Sequence, residues 1–447
     1  MAKVRYETVC RSGKKPRKLN TGEYQNPDGR YVYHYTDKNG KKCKVYSWCL
    51  TSTDKPPKGK KCDKCLRVIE AEIAADKLKG IDTQTAKKRT LDEQFEIFIE
   101  NKKTKVKQNT LTNYKYMYSK FIQPKFGKRK INTILYSDVN SYYQFLLTEQ
   151  NFKVSTLENI HTILYPLFKL AIRDDIISKN PCEGLLAEYK TDKRQIGKST
   201  IRHSFTRTQQ DSFLGFVNAN LDKYERWYNL LVFFIGTACR VSEVCGLTWD
   251  NVDFTKNQIT IDHQLDYGAN EQGKFEKRIE TPKSKAGYRT IPINPDVKAV
   301  LLEEWQRQKK QGLICRDTIS GVKVIDKDGN TEECTLTDFV FLNRFGDCLL
   351  PGSTNKAFER IRNAYNEYER QLAKEENREP QEIPHFSNHH LRHTGCTRFC
   401  ENVNDIAAIG SVMGHSDIQT TANIYNEVQD QHKQDVFGAA WDKLKIG

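Results

Sequence analysis

Arg240, Lys283, His389, Arg392, His415 and Tyr425 together carry the groups needed to break a phosphodiester without a metal ion. Two guanidinium groups from different segments can hold the non-bridging oxygens of one phosphate, each supplying charge and orientation. A lysine and two histidines can move protons, and a phenol can become covalently attached to phosphorus. Taken singly, each residue has a plainer reading, since most arginines form structural ion pairs and most tyrosines pack. Context shifts the balance. Arg240 lies in an apolar helical stretch, Thr237-Ala238-Cys239-Arg240-Val241, where an unpaired charge would be costly, and Glu243 follows one turn later. Glu243 is expected to buttress the site, because a carboxylate placed on the phosphate would repel it. With an ordinary pKa near 10, only about one phenol in a thousand is ionised at pH 7, a penalty of roughly 4 kcal/mol. A surrounding cluster of cations removes much of that penalty at Tyr425.

Roles follow from these chemistries. His389 is the candidate base for the phenol, and His415 the donor to a phosphoryl oxygen as charge builds there. Lys283 is expected on a hairpin tip, closing near Ala286-Gly287 between Ile279 and Ile291, from which it would protonate a departing 5′ oxygen. Lys285 competes for that role. His385, His390 and His393 crowd the same region and raise the question of a metal. No closed ligand spacing accompanies them, and Cys62-x-x-Cys65 lacks a second half-site, so no metal is expected. Cys396 and Cys400, one helical turn apart, read as core.

The chain bears 72 basic and 57 acidic residues among 447, a formal charge of +15, which favours a polyanionic partner. No apolar run is long enough for a membrane span, and the first residues lack the apolar core of a secretory signal. The 13 cysteines are scattered without scaffold spacing, which suits a reduced, cytoplasmic protein.

A chain of this length needs more than one core. Residues 1–82 open with a basic stretch. Two aromatic, β-branched runs follow, Arg30 to Tyr35 and Cys43 to Trp48, separated by Asp37-Lys38-Asn39-Gly40, and a helix runs from Cys65 to Leu78. The expectation is a small sheet backed by one helix, of a size that fits a major groove, with Arg30, Tyr31 and Lys44 as DNA contacts. Residues 88–188 read as helical, with stripes at Phe95, Phe98 and Ile99, then at Leu111, Tyr114, Tyr118 and Phe121. Thr110 and Ser155 are expected N-caps. Lys105, Lys107, Lys128 and Arg129 are candidate phosphate contacts, with a solvated charged face as the alternative. Residues 198–447 are expected to be mixed α and β, with a loop-rich insertion at 312–338. The whole is thus expected to be multidomain and mainly α.

Thr237-Ala238-Cys239-Arg240-Val241-Ser242-Glu243-Val244, His389-His390-Leu391-Arg392-His393-Thr394, Met413-Gly414-His415-Ser416 and Tyr425 resemble, in order, the catalytic stretches of tyrosine recombinases, or phage-type integrases. Residues 90–190 resemble that family's helical core-binding domain. Residues 18–80, through Thr21-Gly22-Glu23, Asp28-Gly29-Arg30-Tyr31 and Tyr46-Ser47-Trp48, are similar to the arm-binding domain of conjugative-transposon integrases. The resemblance implies integration and excision of a mobile element through a 3′-phosphotyrosyl intermediate and a four-way junction, with no metal or nucleotide cofactor. It further implies a homotetramer on double-stranded DNA with arm-type and core-type sites, and an excisionase or DNA-bending accessory protein as partner. The alternatives are a type IB topoisomerase and a DNA-binding regulator with an inactive recombinase domain. Phe437, Trp441 and Leu444 form one apolar helical face, which would dock on a neighbouring subunit or pack on its own domain.

Overall fold

The computed structural model describes residues 5–9, 15–37, 40–78, 88–191, 204–270, 273–282, 284–325 and 331–428. Lys283 and the tail face at Phe437, Trp441 and Leu444 lie outside them. Two compact units divide the chain, Met1–Ser199 and Thr200–Gly447. Among the described residues no helix is long and apolar enough to cross a membrane.

In the first unit, β1 (Arg5–Tyr6) pairs with β2 (Lys18–Leu19), while β3 (Glu23–Gln25), β4 (Tyr31–Thr36) and β5 (Lys42–Ser47) form an antiparallel sheet. Alternation along the strands gives that sheet two faces. One packs Tyr31, Tyr33 and Val45 with Leu19, Leu50 and Leu66, the last from the helix Leu66–Leu78. Tyr31 is therefore not a DNA contact. It is only 4% exposed; its hydroxyl donates to Glu7 Oε1 (2.6 Å) and accepts from Arg17 Nη2 (3.0 Å). Burial and the Glu7 carboxylate push its phenol up to about 12. The opposite face exposes His34, Lys42, Lys44 and Tyr46, with Lys44 directly across from His34. Arg30 lies 5.5 Å from the Tyr46 ring and 5.7 Å from that of Trp48.

The helical part of this unit starts at Thr90, whose side chain and that of Glu93 cap each other's backbone. Helices Leu91–Lys103, Gln108–Met117, Tyr136–Thr148, Val154–Arg173 and Leu185–Thr191 follow, with a π-helical stretch at Tyr118–Gly127. The second and fourth start earlier than expected: their N-caps are Lys107 and Lys153, not Thr110 and Ser155, and neither lysine side chain caps. The aromatic stripes are core, Phe95 stacking on Tyr118. Lys105 and Lys128 are exposed, and Lys107 is half-buried. Arg129 donates 2.8 Å bonds to Asp138 and to the Thr133 carbonyl, so its guanidinium braces the start of the Tyr136–Thr148 helix.

The second unit is built on helices Arg207–Ala219, Leu221–Thr237, Val241–Gly246, Pro295–Lys310, Pro351–Glu375, Asn388–Asn402 and Ile406–Met413, with helical residues 418–428. Between them lie β6 (Val252–Asp253), β7 (Gln258–Ile261), β8 (Gln264–Ala269), β9 (Phe275–Glu280) and β10 (Arg289–Pro292). The expected hairpin between Ile279 and Ile291 does not form. β9 pairs along its length with β8, from Gln264↔Glu280 to Ala269↔Phe275, whereas β10 pairs with β7. The segment holding Lys283 is therefore a crossing between two sheets. The 312–338 insertion is likewise more ordered than its polarity suggests, with β11 (Ile319–Ile325) and β12 (Thr331–Leu336) paired antiparallel.

A core of Phe213, Phe233, Phe234, Phe341, Phe358 and Phe386 holds these helices together. The Asn388–Asn402 helix meets the end of Leu221–Thr237 through Gly395. A Cβ added there would lie 2.5 Å from the Ile235 carbonyl oxygen and 2.9 Å from the Ala238 methyl. Gly395→Ala must push these helices apart, and overpacking of this kind costs about 1–3 kcal/mol. The expected result is a lower melting temperature for the second unit; an unchanged melting curve would mean that the contact is not tight.

Candidate active site

Val412, Met413 and Gly414 end the Ile406–Met413 helix, and their three carbonyl oxygens each accept from a different arginine. Arg289 Nε donates to Val412 (2.6 Å), Arg392 Nη2 to Met413 (2.6 Å) and Arg240 Nη2 to Gly414 (2.8 Å). Cations are favoured at a helix C-terminus, where unpaired carbonyls carry partial negative charge. Gly414 closes the helix with φ 64°, and a Cβ there would lie 2.9 Å from both the Ala286 carbonyl oxygen and Arg289 Nη1. Only glycine fits a left-handed turn pressed that closely.

Glu243 ties two of the arginines together. Its Oε1 accepts from Arg240 Nη1 (2.8 Å) and Arg289 Nη1 (3.1 Å), and its Oε2 from the Arg240 backbone N–H (2.8 Å) and Arg289 Nη2 (2.8 Å). Burial alone would raise its pKa, but hydrogen bonding to Arg289 and the nearby guanidinium charges bring it down to about 2. Glu243, expected to support the site, is thus bonded to both Arg240 and Arg289. Arg392 also donates to the Ala238 carbonyl (2.7 Å) and is 4% exposed. Burial, then the Arg240 charge, lower its pKa to about 10, which leaves it protonated at neutral pH. Arg240 keeps 38% of its side chain exposed and is the open arm of the cluster.

His415 follows directly, its Nδ1 2.8 Å from the hydroxyl of Thr421, which is fully buried. Burial and then Arg392, Arg240, Arg289 and His389 depress its pKa from 6.5 to about 4, so the ring is neutral at pH 7. Tyr425, one turn beyond Thr421, packs on Ala238, Cys396, Cys400, Ile409 and Met413, with Ile424 and Val428 alongside. His389 is exposed on the first turn of the Arg392 helix, close enough for its charge to act on His415. Four of the expected residues, Arg240, Arg392, His415 and Glu243, are thus joined by direct bonds or by the consecutive carbonyls of one turn. Tyr425 rests on the apolar side of the same cluster.

Lys285 is exposed, and the residues that follow it lean on Gly414. His390 serves structure: its Nδ1 lies 3.1 Å from the Ser387 N–H at the start of its helix. Cys62 contacts the Ser47 hydroxyl (3.3 Å), Cys65 is buried, and Cys396 and Cys400 lie in the core beneath Tyr425. Among the described residues no group of three or more His, Cys, Asp or Glu side chains is placed to hold a metal ion.

Sequence reasoning passed over Arg289 and Thr421. Arg289 shares the buried face of β10 with Ile291, and a charge on such a face requires a partner. Thr421 stands one helical turn before Tyr425, the spacing that puts both on one side of a helix.

Residues 203–432 match the model of the phage integrase family, residues 8–77 that of the DNA-binding domain of Tn916 integrase, and residues 90–147 that of the phage integrase amino-terminal SAM-like domain. The transposase from transposon Tn1545 of Streptococcus pneumoniae is 33% identical over 93% of both chains. The chain belongs to the phage integrase family. It is a tyrosine site-specific recombinase of the transposon-integrase type. The Tn916 transposase of Enterococcus faecalis is also 33% identical, over 91% of each chain. Among solved structures, the Tn1549 transposon integrase in complex with transposon right-end DNA matches with a TM-score of 0.61 and 26% identity. That match covers 75% of this chain and 95% of the other.

The depressed pKa of His415 has a consequence for stability. Folding favours the neutral ring, so its contribution is complete above pH 6.5 and is lost as pH falls toward about 4. Glu243 acts lower, its contribution fading only as pH drops from 4.5 toward about 2. Urea midpoints of the recombinase are expected to fall between pH 7.5 and pH 5.0, and to fall less in His415→Asn. An equal fall in both proteins would place the sensitive group elsewhere.

Proposed function

We propose that this recombinase integrates and excises a mobile element in the cytoplasm of a bacterial cell, with Tyr425 as nucleophile. The observation that carries the reading is the convergence of Arg240, Arg392 and His415 on one helix end, against which Tyr425 packs. Arg240 and Arg392 take the non-bridging oxygens of the scissile phosphate. The Thr421 hydroxyl donates to His415 Nδ1, leaving the ring proton on Nε2 as a donor to a phosphoryl oxygen. The Tyr425 oxygen attacks phosphorus and its proton passes to His389, while the bond from phosphorus to the 5′ oxygen breaks. Lys283, or Lys285 in its place, gives that oxygen a proton. The products are a 3′-phosphotyrosyl link and a free 5′ hydroxyl. Attack by a second strand's hydroxyl reverses the step, so rejoining needs no nucleotide. Four subunits on two duplexes would carry two such exchanges through a four-way junction.

Residues 1–82 are assigned to arm-type sites, 88–188 to core-type sites and 198–447 to catalysis. The outward face of the small sheet, with Arg30, Lys44, His34 and Tyr46, is the arm-site surface, and Lys105, Lys107 and Lys128 are phosphate contacts of the core-site domain. An excisionase or DNA-bending protein would set the direction. DNA flanking the gene for this chain supplies candidate element ends.

Tyr425→Phe removes one hydroxyl and nothing else. On a nicked duplex of those ends it is expected to bind like the parent, yet form no covalent adduct on a denaturing gel. An adduct that persists in the variant would move the nucleophile to another residue.

A further inference from the structure

The guanidinium of Arg289 reaches three parts of the site at once. It donates to both oxygens of Glu243 (3.1 and 2.8 Å), to the Val412 carbonyl (2.6 Å) and to the Gly287 carbonyl (3.1 Å). Through Glu243 it touches the partner of Arg240; through Val412, the turn that delivers His415. Gly287 belongs to the crossing that carries both lysines. That crossing is tight: the Gly287 N–H donates to Ser284 and the Tyr288 N–H to Lys285. A Cβ on Gly287 would lie 2.4 Å from Pro282 Cβ, so the residues before and after position 283 are pressed together. The Ala286 carbonyl in turn faces Gly414 at the distance given above. No strand pairing between β9 and β10 fixes this crossing, since the two belong to different sheets. The Arg289 bond to the Gly287 carbonyl ties it to Glu243 and Val412.

We infer that Arg289 is a positioning residue that sets the lysine-bearing crossing, and so the acid that protonates the leaving oxygen, against the phosphate-holding arginines. The inference rests on the recombinase reading above. Arg289 touches neither phosphate nor phenol; it acts through the lysine. Its Nε is taken by Val412, its Nη1 by Glu243 and Gly287, and its Nη2 by Glu243 and the Cys239 sulfur, so the whole group is committed to protein partners.

The test separates protonation of the leaving group from every other step. Single-turnover cleavage is measured on two nicked duplexes of the candidate ends. One has the ordinary 5′ bridging oxygen, and the other has sulfur in that position. A thiolate leaves without a proton, so a defect in delivering the acid vanishes on the sulfur substrate. Arg289→Met is expected to slow cleavage of the oxygen substrate by about 10²–10⁴-fold, the usual worth of a general acid. On the sulfur substrate it should come within about tenfold of the parent. Lys283→Ala or Lys285→Ala, whichever replaces the true acid, should show the same recovery. Combining it with Arg289→Met should add little further loss on oxygen.

If Arg289→Met does not fold, as judged by its melting curve, Arg289→Lys is read in the same assay. It keeps the charge but cannot span Glu243, Val412 and Gly287 together, so a smaller loss with the same recovery is expected. Equal loss on both substrates, or no loss on oxygen, overturns the inference. If the parent protein forms no adduct on either duplex, the recombinase reading itself has failed.

Discussion

Three arginines bound to three successive carbonyls are the constraint from which the site follows. A helix end has oxygens with no partner of its own, and here Arg289, Arg392 and Arg240 supply one each. The residues come from a strand, a helix and a helix cap that are far apart in sequence. Binding one turn therefore fixes three elements relative to each other and to His415, the next residue along. The same carbonyls satisfy guanidinium hydrogens that would otherwise be buried unpaired, so satisfying the backbone and placing the site are one event.

Charge sets the second condition. Arg240, Arg289 and Arg392 surround the single carboxylate of Glu243, which leaves the cluster positive on balance. The depressed pKa values of Arg392 and His415 are two signs of that excess, added to burial. A phosphate bridging into such a cluster supplies the missing negative charge. Glu243 keeps the mutual repulsion tolerable without cancelling it, and it is itself buried while the Arg240 side chain that it binds stays 38% exposed.

How much was legible depended on whether the signal was local. The candidate site residues were readable because their types and neighbours are unusual in a sequence of any fold, and the helical stripes because a period of 3.6 is written into successive residues. Strand pairing is not local. Ile279 and Ile291 looked like two arms of a hairpin, yet each found its partner in another strand, Leu265 and Ile259 respectively. Tyr31 was misread for a related reason: aromatic and basic residues alternate along β4 and β5, and composition does not say which parity faces the helix. Its neighbours in the fold, Leu19 and Leu66, decide that. Arg289 was passed over because its partners lie 46 and 123 positions away.

The two-sided sheet of the amino-terminal region separates what must stay from what is free to vary. Tyr31, Leu19, Leu50 and Leu66 interlock on one side, while His34, Lys42, Lys44 and Tyr46 project from the other. Odd and even positions of the same strand therefore answer to different demands. Val32, on the outward parity of β4, is the exception, being fully buried; changes at His34, Lys42, Lys44 and Tyr46 leave the interior undisturbed, so the outward surface can be rewritten in single steps, each passing through a folded protein.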